Sequence, residues 1–354
     1  MNNNQLHISF KLNGISFSTS DELISFSKEI SEVTKQFFID WFSDSEFIEV
    51  QTSGSTGKPK TIQIKKEFMI NSALATGSFF DLKENTTALL CMSTDFIAGK
   101  MMLVRAIVLG WNLDIVEPVS NPLEETEKTY DFSAMVPMQL ESSLSQIHRI
   151  DKLIVGGAMV SEELVSKIQN VSTKIFATFG MTETITHIAV KQLNGFKNRT
   201  SSEVEKSHFI TLPNVSITKD VRNCLVINAP KVSDVKIVTN DVVKIISKNK
   251  FKWLGRFDNV INSGGIKLHP EAIEKKLAKI MKQRFFVAGV PDANLGEKLI
   301  LVVEGKKTTI ILSKAKTLSR FETPKAIYFV DAFIETATKK IQRKKTLDLL
   351  LNSN

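Results

Sequence analysis

Two periods of hydrophobic spacing alternate along this chain. Short apolar runs at 47–51 (FIEVQ), 88–93 (ALLCMS), 113–118 (LDIVEP), 131–137 (DFSAMVP), 152–158 (KLIVGGA) and 174–180 (KIFATFG) read as strands. Between them apolar residues recur three and four apart. One such stretch starts behind a cap at Ser20 or Asp21 and carries Leu23, Ile24, Phe26 and Ile30. Others cover 66–80, 97–109 (IAGKMMLVRAIVL), the segment from 138 to about 148, and 161–170 (SEELVSKIQN). Before the first helix, LHISF and ISF read as short strands. Strands joined by helical connections predict an α/β fold with a largely parallel sheet. Between about 200 and 255 the pattern becomes strand-like throughout (FITL, VSIT, CLVIN, VKIV, VVKII, FKWLG), which predicts a small antiparallel β subdomain.

The texture changes again near residue 258. A helix led in by Pro270 carries Ile273, Leu277 and Ile280, and the strands FFVAGV and KLILVV flank the turn PDANLG. A helix near 311–320, a strand AIYFV at 326–330 and a basic tail follow. The expected organisation is a large α/β domain over 1–257 and a small α+β domain over 258–354.

Composition narrows the class. With 354 residues, 42 % hydrophobic and 24 % charged, the chain has the balance of a globular protein with enough material for a buried core. Lys and Arg outnumber Asp and Glu by 46 to 38, a net +8 that suits anionic small molecules. The basic tail lacks interleaved aromatics, so nucleic acid is not an expected partner. Cys91 and Cys224 lie in apolar stretches and read as core thiols of a reducing compartment. The five histidines, at 7, 148, 187, 208 and 269, lack metal-ligand spacing. The N-terminal MNNNQLHISFKLNG does not read as a signal peptide, and no apolar run approaches a membrane span. The expectation is a cytoplasmic protein without stable membrane insertion, its oligomeric state open.

Three loops carry chemistry. Thr52-Ser53-Gly54-Ser55-Thr56-Gly57-Lys58-Pro59-Lys60 follows a strand and concentrates hydroxyls, glycines and lysines, as a phosphate cradle would. It is not a Walker A loop, because Pro59 follows Gly57-Lys58 and Thr52 stands where the first glycine belongs. Ala177-Thr178-Phe179-Gly180-Met181-Thr182-Glu183-Thr184 places a hydroxyl and a carboxylate at the end of a strand, suited to a phosphate oxygen and Mg²⁺, or to a plain N-cap with an acidic first turn. Gly255-Arg256-Phe257-Asp258-Asn259 leads, at the inferred boundary, to Asn262-Ser263-Gly264-Gly265-Ile266-Lys267, which would equally suit an ordinary β-hairpin.

Taken together and in order, these loops resemble the adenylate-forming superfamily of acyl-CoA synthetases, nonribosomal-peptide adenylation domains and luciferases. Residues 52–60 are similar to T-S-G-[ST]-T-G-x-P-K, 179–183 to Y-G-x-T-E, and 255–274 to G-R-x-D-x-x-I-x-x-G-G-x-x-I-x-P-x-E-I-E. VGGA at 155–158, TND at 239–241, GVPDANLGE at 289–297 and TKKIQR at 338–343 add to the resemblance, which runs from about 48 to the end. Phe179, Asn240 and Lys339 stand where the superfamily usually has Tyr, Gly and Gly.

The resemblance implies roles residue by residue. Ser53, Ser55, Thr56, Gly57 and Lys58 would grip the β- and γ-phosphates of ATP. Gly156, Gly157 and Ala158, with Phe179 and Gly180, would flank the adenine and the acyl pocket. Thr182 would hold the α-phosphate and Glu183 the Mg²⁺. Asp241 would bind the ribose hydroxyls with help from Arg256. Lys340, otherwise one charge in a solvated basic run, would bridge the carboxylate and the α-phosphate. Asp258 would be the hinge of a mobile C-terminal lid, whose rotation brings Gly264, Gly265 and Lys267 to the site for CoA.

For the acid, the segment 93–118 with its I-A-G-x-M-M-x-x-R-A core resembles the o-succinylbenzoate–CoA ligases of menaquinone biosynthesis, especially compact forms. A short region ahead of the phosphate loop agrees. Phe96, Thr186 and His187 are the implied acyl contacts. Other carboxylate–CoA ligases, acting on aryl or fatty acids, and a stand-alone adenylation module loading a carrier protein are the alternatives.

Overall fold

The computed structural model describes residues 6–51, 61–124, 126–195, 208–335 and 341–352. The chain divides into two compact units. The first comprises 1–217, 227–237 and 246–251; the second comprises 218–226, 238–245 and 252–354.

The first unit is built on a parallel sheet. Thr87–Leu90 pairs in parallel with Asn112–Ile115 on one side and Tyr130–Met135 on the other. The sheet continues in parallel through Ile150–Val155 to Lys174–Gly180. It then turns antiparallel at His187–Gln192 and Phe209–Thr211. At the other edge Lys11–Leu12 adds in parallel to Asn112–Ile115.

Both faces of the parallel strands are buried, which is why their sequences run apolar instead of alternating. On one face Leu89, Met135, Leu153, Val155 and Ile175 pack against Leu140, Ile147, Leu164 and Ile168. On the other Phe80, from the helix Lys66–Phe80, meets Phe132 and Phe176 at ring distances of 5.7 and 5.1 Å. The helix Ile97–Leu109 is buried over seven consecutive residues from Met101 to Ile107. A helix apolar on all sides belongs inside the fold, so the one charge in that run, Arg105, stands out. Phe47–Gln51 and Thr61–Lys65 form a separate antiparallel pair.

In the second unit Ile266–Leu268, Ile261–Ser263, Gly296–Glu304 and Phe285–Asp292 form a sheet in that order, and Ala326–Val330 lies parallel to Gly296–Glu304. The helix Pro270–Leu277 packs Ile273 and Leu277 on one face of this sheet, with Val287 and Leu301. The helix Arg343–Asn352 packs Leu350 on the other, with Phe286 and Val302.

The α/β architecture is the one expected, with three local corrections. A second N-terminal helix, Glu32–Phe42, is capped by the Ser31 side chain; it buries Thr34, Phe37, Phe38 and Trp41, a helical spacing that the sequence reading passed over. The expected helix at 311–320 is two 3-10 turns, Leu312–Lys314 and Arg320–Glu322. The basic tail ends in a helix, because Leu347 and Leu350 sit three apart behind its lysines. Cys91 and Cys224 are buried free thiols, and burial pushes Cys91 up to about 12. Among the described residues no helix is long and apolar enough to cross a membrane.

Candidate active site

Ser53, Ser55, Thr56, Gly57, Lys58 and Lys340 lie outside the described residues. The remaining expected site residues fall into two groups, one in each unit.

In the first unit two neighbouring parallel strands run into glycine. Gly156 follows Ile150–Val155, and a Cβ there would stand 2.5 Å from Thr178 Oγ1 on the neighbouring strand. That hydroxyl is in turn held by the carbonyl of Val155 at 3.1 Å. Only glycine lets the two strand ends approach this closely, leaving exposed backbone at Gly157 and Ala158. Gly180 closes the next strand and is more tightly confined: its Cβ would lie 2.2 Å from the Thr186 carbonyl oxygen. Phe179 packs edge-on against Phe209 and Phe251 at 5.6 and 5.2 Å, so an aromatic ring is kept there without a phenolic hydroxyl.

The loop after Gly180 is strained. The expected helix start is a single 3-10 turn, Thr182–Thr184. Ile185 follows at φ 66° and ψ −59°, and Thr186 N–H donates to the Thr184 carbonyl at 2.7 Å. This is a γ-turn centred on a β-branched residue, a conformation that costs about 1–3 kcal/mol and persists only where surroundings impose it. Thr184 imposes it: its hydroxyl accepts from Met181 N–H at 3.0 Å and lies 2.7 Å from the Thr186 carbonyl. The turn leaves Thr182 half-buried and Glu183 exposed, with no partner for the Glu183 carboxylate among the described residues.

The same turn delivers Thr186 and His187 to Arg105. The Arg105 guanidinium is 1 % exposed. It donates to Thr76 Oγ1 and Thr186 Oγ1, each at 3.4 Å, and leans on Met102 Sδ at 3.6 Å. These are long bonds, and no carboxylate pairs with it among the described residues. Burial pulls its pKa down to about 10, so it is still a cation at neutral pH. Gly99, one turn into the same helix, permits a sharp entry, since a Cβ there would meet the Ser93 carbonyl oxygen at 2.2 Å.

His187 Nδ1 lies 3.3 Å from Thr186 Oγ1, and Nε2 has no partner among the described residues. Burial, then the charge of Arg105, holds this imidazole well below its usual pKa, so it is neutral. The ring lines a cavity of about 240 Å³ with Thr184, Ser72, Ala75, Leu212 and Val232. Phe96 is not part of that cavity: it caps the helix Ile97–Leu109 and is half exposed.

In the second unit Asp241 lies inside the strand Ile237–Ser247 and is buried. Its Oδ1 accepts from Trp253 Nε1 at 2.8 Å, and Arg256 Nη1 stands 3.7 Å from Oδ2. Arg256 Nη2 also reaches Asp258 at 3.4 Å. Asn240, in place of the usual glycine, donates to Asp258 at 3.3 Å and accepts from Arg222 at 2.9 Å. Asp241, Arg256 and Asp258 therefore form one cluster. Gly264 and Gly265, at φ 57° and 80°, make the two-residue turn between Ile261–Ser263 and Ile266–Leu268, with Lys267 exposed beside it.

Residues 50–218 match the family model described as AMP-binding enzyme. The solved acyl-CoA synthetase (AMP-forming)/AMP-acid ligase II-like protein from Dyadobacter fermentans is 37 % identical, over 89 % of this chain and 93 % of that one, with a TM-score of 0.60. The chain belongs to the AMP-forming acyl-CoA synthetase family. This family member is an AMP-forming acid–thiol ligase. Among its curated relatives, the 2-succinylbenzoate–CoA ligase of Staphylococcus epidermidis is 25 % identical over 85 % of this chain and 69 % of that protein. The Lactococcus lactis 2-succinylbenzoate–CoA ligase is 23 % identical over 84 % of this chain and 69 % of its own length. The o-succinylbenzoate CoA synthetase of Bacillus subtilis, solved with its acyl-adenylate intermediate, shares the fold with a TM-score of 0.71 over 84 % of this chain and 68 % of that one, at 19 % identity.

Arg105 is a candidate site residue that reading the sequence did not single out. The signal was present as the one charge in the apolar run Met101–Ile107. Its proximity to Thr186 and His187, some eighty residues on, needs the fold.

Proposed function

We propose that this acyl-CoA synthetase is an o-succinylbenzoate–CoA ligase working with ATP, Mg²⁺ and CoA, and that it acts in a reducing, cytoplasmic compartment. Arg105 carries the choice of acid. A buried guanidinium with no counter-ion is costly to keep, and an incoming carboxylate is what it lacks. o-Succinylbenzoate has two carboxylates joined by an aryl ketone. One is activated, and the other is free to pair with Arg105 beside Thr186 and the neutral His187. A fatty acid has nothing to offer that cation. The relatives named 2-succinylbenzoate–CoA ligase support the same reading.

In the first half-reaction an oxygen of the succinyl carboxylate attacks the α-phosphorus of ATP, and the bond to pyrophosphate breaks. In the second the CoA sulfur attacks the acyl carbon, the bond to AMP breaks, and the thiol proton leaves to solvent. The first step brings anions together, so catalysis is positioning and charge neutralisation. Ser53, Ser55, Thr56, Gly57 and Lys58 hold the β- and γ-phosphates, Thr182 the α-phosphate, and Lys340 bridges the carboxylate to it. Gly156, Gly157, Ala158, Phe179 and Gly180 flank the adenine, and Asp241 with Arg256 holds the ribose. Glu183, whose carboxylate is exposed and unshared among the described residues, would hold Mg²⁺, which would supply charge neutralisation at the phosphates. Residues 258–354 act as a lid turning at Asp258, which withdraws Lys340 and presents Gly264, Gly265 and Lys267 for the thiol step.

The test is pyrophosphate release with ATP, Mg²⁺ and a panel of o-succinylbenzoate, benzoate, a medium-chain fatty acid and an amino acid, with and without CoA. CoA-dependent turnover on o-succinylbenzoate is expected. Preference for another acid contradicts the substrate, and adenylation that never passes to CoA points to a carrier-loading module.

A further inference from the structure

The Asp241 carboxylate is held in a way that its place in the strand does not require. Its main-chain N–H is already fixed: it donates to Thr239 Oγ1 at 3.0 Å, and that hydroxyl donates to the Leu225 carbonyl at 2.9 Å. The side chain is fixed separately. Trp253 projects from the neighbouring strand Lys250–Arg256 and donates its indole N–H to Oδ1 at 2.8 Å. An indole N–H can only donate, so the bond has one possible sense. Arg256 does not duplicate it. At 3.7 Å from Oδ2 the guanidinium is beyond hydrogen-bond range, and its side chain is 43 % exposed. Trp253 is thus the only short donor to this carboxylate among the described residues.

The torsion that turns a carboxylate about its own axis is broad, so an unanchored Asp241 would sample many orientations. With Oδ1 engaged by the indole, Oδ2 is left for an incoming donor.

We propose that Trp253 is a positioning residue for the nucleotide: its N–H fixes Asp241 so that Oδ2 accepts the ribose hydroxyls. The proposal rests on the reading of Asp241 as the ribose acceptor. It assigns Trp253 a task in ATP recognition and none in recognition of the acid.

The experiment compares ATP with 2′,3′-dideoxy-ATP in the wild type, Asp241→Asn and Trp253→Phe, with KM for each nucleotide and for the acid. Removing one oriented donor to a charged acceptor is expected to raise KM for ATP roughly tenfold in Trp253→Phe. The same variant should discriminate less against the dideoxy nucleotide, while kcat and the KM for the acid stay within about twofold. Trp253→His, which keeps a ring N–H, should recover part of the discrimination; a purely packing role would not respond to it. If Asp241→Asn loses discrimination and Trp253→Phe keeps it at an unchanged melting temperature, the positioning role is wrong and the ribose reading stands. If the wild type and Asp241→Asn treat the two nucleotides alike, the ribose reading fails and the role of Trp253 falls with it. Should Trp253→Phe melt early, Trp253→His decides alone: discrimination no better than in Asp241→Asn overturns the proposal.

Discussion

Replacing Arg105 by methionine should separate stability from substrate choice. The guanidinium is 1 % exposed and its pKa is lowered by burial from 12.5 to about 10. At about 1.4 kcal/mol per pH unit, that drop corresponds to roughly 3 kcal/mol of unfavourable solvation. The sign follows from linkage. The folded pKa lies below the unfolded one, so the penalty is fully present at pH 7, where Arg105 is charged in both states. The compensating bonds are long, at 3.4 and 3.6 Å. Methionine fills similar volume in an apolar helix and needs no partner. Arg105→Met should therefore match or exceed the wild type in Tm, by about 2–4 °C for each kcal/mol regained in a domain of this size. On the proposed function the same change removes the partner of the second carboxylate, so kcat/KM for o-succinylbenzoate should fall about 100-fold, the equivalent of roughly 3 kcal/mol. 4-Oxo-4-phenylbutanoate, which lacks the ring carboxylate, should change no more than a few-fold. Thermal melts and steady-state kinetics on both acids decide it. A Tm several degrees below wild type, or an unchanged kcat/KM for the diacid, refutes the reasoning.

Three further outcomes follow from the site. His187 is held below its usual pKa by burial, so below about pH 6.5 the unfolded chain takes up a proton that the folded one refuses; Tm should fall from pH 7 to 5.5, and His187→Phe should flatten that slope. In Gly180→Ala the new methyl would meet the Thr186 carbonyl and the His187 Cα at 2.2 and 2.6 Å; chemical denaturation should show about 1–3 kcal/mol of lost stability, with kcat down at least tenfold. Lys340→Ala should lower adenylate formation by about 100-fold or more, while thioester formation from a supplied acyl-adenylate stays near the wild-type rate.

The fold class was legible because each buried parallel strand is a short apolar run bounded by glycine or a polar turn, and most connections between them keep a helical period. The helix Glu32–Phe42 was legible as well, since Thr34, Phe37, Phe38 and Trp41 keep a helical spacing behind the Ser31 cap, but the sequence reading passed over it. The turns at 312–314 and 320–322 misled because apolar spacing alone does not supply enough continuous hydrogen bonds for a helix. Within the site the glycine-bounded loops were readable from composition. The γ-turn at Ile185 was not: isoleucine carries no preference for positive φ, and only the Thr184 hydroxyl explains it. Trp253 and Arg105 meet partners 12 and 81 residues away, on other elements, and such pairings are set by tertiary packing.

On the proposed function this acyl-CoA synthetase selects a diacid by its second carboxylate. The direct measurement is the ratio of kcat/KM for CoA-thioester formation from o-succinylbenzoate and from 4-oxo-4-phenylbutanoate, followed by mass spectrometry of the thioester. The two acids differ only in the ring carboxylate. A ratio of about 100 or more in favour of the diacid, in line with a desolvated charge pair, is predicted. A ratio near one would mean that the second carboxylate is not recognised.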